Sequence, residues 1–157
     1  MKIIRTRSKL NPRSSLVITS ILYLLIAGIG TLIAVRENLP SQTFIPAFIT
    51  GKPALEDFIT GNGTAFSPPL YLYLIAILLL ILACLPNRFA VVGIVGLTIL
   101  GAIFLFGIFI ERLTYRVLNP ATFDFSLAPV ELLAIVLPLL MIVFGGMEIA
   151  HRKSNSS

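Results

Sequence analysis

The chain holds one cysteine, Cys84, one histidine, His151, and no tryptophan. Single copies exclude an intrachain disulfide, a Cys-x-x-Cys redox pair, a bis-histidine haem and a three-histidine zinc shell. Charge is scarce too: 12% of residues are charged, where a soluble domain carries about 25%. No set of side chains reads as nucleophile, base and orienter. The basic residues come without the aromatic interleaving or motif that nucleic-acid binding requires. No cofactor, metal or nucleic-acid partner is therefore expected, and an integral membrane enzyme ranks third, behind a scaffold and a carrier.

Apolar residues are what the chain has in abundance. They make up 57% of it, and the mean hydropathy is +0.97. Crossing about 30 Å of hydrocarbon takes about 20 apolar residues as a helix, and only helices or closed barrels satisfy their backbone there. Four stretches qualify: Leu16 to Val35, Leu70 to Leu85, Phe89 to Ile110 and Ala128 to Ile149. None shows the period-two alternation of a barrel strand. The expected fold is an all-α integral membrane protein, a bundle of four antiparallel transmembrane helices forming one membrane domain. The first stretch follows a basic segment but is too long for the core of a signal peptide, and it lacks a small-x-small cleavage site.

Orientation follows from the basic residues in the short flanking segments. With the N-terminus inside, eight of the twelve are cytoplasmic: Lys2, Arg5, Arg7, Lys9, Arg13, Arg88, Arg152 and Lys153. The remaining four, Arg36, Lys52, Arg112 and Arg116, are then outside. The expected location is the cell membrane, with both termini cytoplasmic. The N-terminal basic cluster would attract anionic lipids, at about 1 kcal/mol per residue near the surface. A short basic tail, 150–157, closes the chain.

Pro86-Asn87-Arg88 makes a tight turn, so the second and third spans are expected to be antiparallel neighbours. The segment 36–69 is long for a connection between packed helices and 111–127 is moderate, and loops of such length are usually functional, self-structured or disordered. The first contains PAFITGKPALEDFITG, which states one pattern twice between Pro46 and Gly61. Each copy has a proline start, an apolar pair and a glycine stop, which is the grammar of a short helix. Short helices are expected near 46–50 and 53–60. Their apolar pairs, Phe48-Ile49 and Phe58-Ile59, should lie against the bilayer interface or cap the bundle. Asn62-Gly63-Thr64 matches a glycosylation sequon.

Small residues allow close approach between membrane helices. At 100° per residue, Gly93, Gly96 and Gly107 fall within about 60° of one another, and Gly30 with Ala34 makes a similar patch. These are the expected packing faces. Ionisable groups within spans are the usual functional candidates. Glu148 has Arg152 four residues later, an ordinary helical ion pair. Glu131 admits two readings. Near a helix start after Pro129 it suits the helix dipole or a structural pair; with Arg112, Arg116 and Asp124 it could form a polar site at the outer mouth.

The functional expectation is a non-enzymatic membrane scaffold or accessory subunit. It would pack against other membrane subunits, or a second copy, through small-residue faces and present its outer cap. The alternative is a small carrier built on Glu131, Arg112 and Arg116.

Overall fold

The computed structural model describes residues 11–39, 51–86, 88–107 and 128–154, and among these there are five helices and no strand. They are α1 (Pro12–Arg36), α2 (Ala54–Thr60), α3 (Leu70–Cys84), α4 (Arg88–Phe106) and α5 (Ala128–Ser154). The Phe48-Ile49 turn lies outside the described residues.

Local signals place the helix ends. Asn11 caps α1, its Oδ1 accepting the Arg13 N–H at 3.1 Å, and Pro12 follows with a φ suited to the first turn. Asn38 ends the same helix in a left-handed conformation, φ 50°. Beyond it the Leu39 N–H returns to the Ala34 carbonyl at 2.7 Å and the Asn38 N–H to the Val35 carbonyl at 3.3 Å, a Schellman stop. Pro53 is the N-cap of α2 and Gly61 its C-cap, with Glu56 and Asp57 in the first turn. Helix α5 continues past the expected span end, through His151, to Ser154.

Three of these helices, Pro12–Arg36, Arg88–Phe106 and the Leu132–Ser154 part of α5, are long and apolar enough to cross a membrane. Helix α3 is as apolar but has 15 residues, about 22 Å at 1.5 Å per residue. The prolines on both sides keep it short: Pro69 sits at its N-cap and Pro86 just beyond its end.

Contacts fix the helix directions. Gly93 meets Ala83, and further along α4 Gly96 meets Leu79, so α3 and α4 run antiparallel. Gly101 lies against Met141 and Gly145 against Thr98, so α4 and α5 do too. Arg13 reaches the end of α3 while Thr31 reaches its beginning, which makes α1 antiparallel to α3. Helix α5 packs on both α1 and α4, and α3 packs chiefly on α4.

The distribution of side-chain sizes is that of a helical membrane protein. Many of the buried positions are small: Ala27, Ala76, Ala83, Ala90, Gly93, Gly101 and Ala134. The exposed surface carries large apolar side chains instead, with Leu32 at 73% exposure and Phe89 at 63%. Water would oppose such a surface, whereas lipid accepts it and leaves close backbone approach to hold the helices together. Where larger groups do fill the interior they interlock, as in the stacked Tyr23 and Phe104 rings, 4.7 Å between centroids. Hydroxyls within the spans bond back to their own helix: Ser20 to the Leu16 carbonyl, Thr31 to Ala27 and Thr98 to Ile94.

Candidate functional site

At the end of the molecule where α1 stops and α3 starts, the segment 51–69 folds down into a cap. Its attachment begins at Asn38, whose side-chain Oδ1 accepts the Ala54 N–H at 3.0 Å. The same residue therefore ends α1 and supplies the side-chain bond that starts α2, where the proline cap has none to give. Next, the Leu39 carbonyl accepts the Ala65 N–H at 3.1 Å. That bond ties the tight turn Thr64 to Ser67 to the helix end.

The turn is closed twice, by the Thr64 N–H on the Ser67 carbonyl at 3.0 Å and by their two hydroxyls at 2.7 Å. It presents Phe66 to α1. A Cβ at Gly30 would lie 2.8 Å from the Phe66 Cβ, so only glycine admits this contact. Ala34, Ala65 and Phe66 make a small buried cluster, flanked by Ile33 and Leu39. Gly63 adopts φ 99°, and a Cβ there would come within 2.8 Å of the Pro68 carbonyl carbon. Both the conformation and the space demand glycine.

Asp57 is 1% exposed and organises the other side of the cap. Its Oδ1 accepts the Asn62 N–H at 3.0 Å, while its carbonyl accepts those of Gly61 and Gly63 at 2.9 and 3.1 Å. Phe58 meets Tyr73 of α3 edge to face at 5.8 Å, and the Tyr73 hydroxyl lies 3.3 Å from Thr31 Oγ1. A loop, a short helix and two long helices thus share one contact network.

The outward face of α2 differs from its inward one. Leu55 and Ile59, one helical turn apart, are 54% and 49% exposed. Beside them Lys52 pairs with Glu56 at 3.2 Å, a solvated pair worth little to stability. The cap's accessible surface is therefore an apolar ridge flanked by a charged pair.

The site residues expected from sequence distribute as follows. Arg112, Arg116 and Asp124 lie outside the described residues, as does the side chain of Glu131. Gly93 and Gly96 face α3: a Cβ on Gly93 would collide with the Ala83 backbone, and one on Gly96 with the Leu79 side chain. Gly107 has no described atom within 4 Å of its Cβ position. A Cβ at Gly30 would meet the cap's Phe66, and Ala34 joins the buried cluster of Ala65 and Phe66. Phe58 turns inward onto Tyr73, and Ile59 turns outward. Glu148 and Arg152 form their ion pair at 2.7 Å, with the carboxylate buried. The sequon's Thr64 is fully buried, its hydroxyl held by Ser67.

No known protein family, curated protein or solved structure matches this chain. Its chemistry has to be taken from its own residues. Asp57 is occupied by loop N–H groups and Glu148 by Arg152. Among the described residues, no three His, Cys, Asp or Glu side chains gather as a metal shell would require.

Residues that sequence patterns left unnoticed prove important to the architecture. Arg13, counted among the basic cluster, donates from Nε to the Ala83 carbonyl at 2.9 Å and from Nη2 to the Leu85 carbonyl at 2.7 Å. It closes the C-terminus of α3, where a cation is favoured by the helix dipole. Asn38 carried one legible signal, its suitability for a left-handed stop; its bond to Ala54 depends on the folded cap.

Proposed function

We propose that the chain is a four-span antiparallel bundle with both termini cytoplasmic, acting as a non-enzymatic scaffold or accessory subunit of a larger membrane assembly. In this reading the cap faces outward and docks a partner subunit. The observation that carries it is the ridge of Leu55 and Ile59, exposed on a cap that is itself fixed by Asn38, Asp57 and Phe66. Burying the remaining exposed half of each of these two side chains against a partner contributes about 1 kcal/mol each. A ridge whose backbone is already held in the free subunit lowers the ordering cost of docking. The excess of basic residues at the opposite end supports the orientation.

The test is the native size of the assembly in mild detergent, for wild type and for the Leu55→Glu and Ile59→Glu variants. Loss of the larger species, with each variant itself still folded, supports docking through the ridge. An unchanged assembly in both variants refutes it.

A further inference from the structure

We propose that the groove at the opposite end of the molecule binds the headgroup phosphate of an anionic phospholipid drawn from the surrounding bilayer. This stands independently of what the cap does. The groove measures about 1060 Å³ and lies between the α3–α4 turn and the last turns of α5. Its lining is Leu85, Pro86, Arg88, Phe89, Val91 and Arg152.

The charged groups set the chemistry. Arg88 is exposed and has neither a hydrogen bond nor an ion pair among the described residues. Arg152 is held through Nε by the buried carboxylate of Glu148 at 2.7 Å, and its remaining guanidinium donors have no described partner. Two arginines stand against one carboxylate in and beside the lining, and Arg13 adds a further cation at the Leu85 carbonyl, so the groove carries net positive charge suited to an anionic phosphodiester. Guanidinium groups bind phosphate oxygens through paired N–H donors, which suits this pair better than lysines would.

The apolar groups set the source of the phosphate. Phe89, Val91 and Leu85 are 63%, 42% and 40% exposed, and they continue the lipid-facing surface of the helices into the groove. Arg88 opens one candidate span and Arg152 stands near the close of another, so the two cations lie where hydrocarbon gives way to headgroups. A lipid can enter sideways, lay its acyl chains on the apolar wall and set its phosphate between the arginines. A free phosphate ion gains nothing from that wall.

Native mass spectrometry of the purified full chain, titrated with phosphatidylglycerol or phosphatidylcholine, reads the site directly. Wild type should retain phosphatidylglycerol preferentially. Arg88→Gln should reduce that preference about fivefold, the usual worth of one interfacial basic residue. Arg36→Gln, at the far end of α1 with its side chain 86% exposed, should leave it unchanged. Phe89→Ser should weaken retention of both lipids, and excess inorganic phosphate should displace neither. The proposal is overturned if Arg88→Gln keeps the full preference, if Arg36→Gln lowers it equally, or if inorganic phosphate displaces the lipid.

Discussion

Asn38 and Ala54 are joined by a 3.0 Å bond from the Ala54 N–H to the Asn38 side chain, while the Asn38 backbone holds φ 50° at the end of α1. One residue thus does two separable tasks. Asn38→Gly should keep the left-handed stop and lose the side-chain bond, and Asn38→Ala should lose both. The expected costs are about 1 kcal/mol for the lost cap and about 1 to 2 kcal/mol more where alanine must adopt a left-handed backbone. Thermal unfolding in detergent should rank wild type above glycine and glycine above alanine; equal stabilities would show that this joint is not used.

Close approach of α3 and α4 makes a second expectation. Gly93→Ala places a methyl group against the Ala83 backbone, which cannot swing aside as a side chain could. Overpacking of this kind costs about 1 to 3 kcal/mol. Gly28, in α1, has nothing within 4 Å of its Cβ position, so Gly28→Ala should be neutral or stabilise by up to about 1 kcal/mol through helix propensity. Matching effects at the two sites would contradict the packing described.

Arg13 offers a third. Its two bonds to the end of α3 require a forked donor set, which lysine lacks. Arg13→Gln should destabilise by about 1 to 2 kcal/mol, and Arg13→Lys should recover only the electrostatic part. Amide hydrogen exchange at 83–85 should quicken in both variants, more in the first. Exchange that is unaltered in both would mean that α3 ends without help from α1.

The cap itself is tested by Phe66→Ala. Removing a buried phenylalanine costs about 3 to 5 kcal/mol in a full core. Here the cluster is small and the loss should remain local, opening 61–67 while the long helices persist. Limited proteolysis near Gly61 to Gly63 with unchanged far-ultraviolet circular dichroism is the expected pair of results. Global unfolding would show that the cap and the helices are one cooperative unit.

How much of this was legible beforehand depended on the range of the interaction. Hydropathy located the long helices because the bilayer selects by composition, and Pro53, Glu56-Asp57 and Gly61 announced α2 through strictly local preferences. Asp57 sits in the first turn of α2, where an acid is ordinary; its burial and its bond to Asn62 arise only when the chain doubles back. Gly30 and Ala34 read as a helix-packing patch, yet small-residue spacing says nothing about which partner approaches. That partner proved to be Phe66, from a loop 36 residues away in sequence. Arg13 read as part of a charge cluster because its carbonyl partners are about 70 residues distant.

Orientation can be read from the chain's own cysteine. Cys84 is exposed at the end of α3, on the side assigned to the cytoplasm. A membrane-impermeant thiol reagent should leave it unlabelled in intact cells and label it after permeabilisation. In a Cys84→Ser background, Lys52→Cys at the cap should react in intact cells. The reverse pattern would invert the topology.

The most direct measurement of the central claim is photocrosslinking in living cells from a reactive residue placed at position 59, compared with one at the lipid-facing position 78. Ile59 is exposed on the cap and Leu78 on the wall of α3. The expected result is a discrete protein adduct of constant mass from position 59, lost in a Leu55→Glu background, and only lipid adducts from position 78. Lipid adducts alone from both positions would contradict a docking cap and leave α2 as a membrane-surface helix.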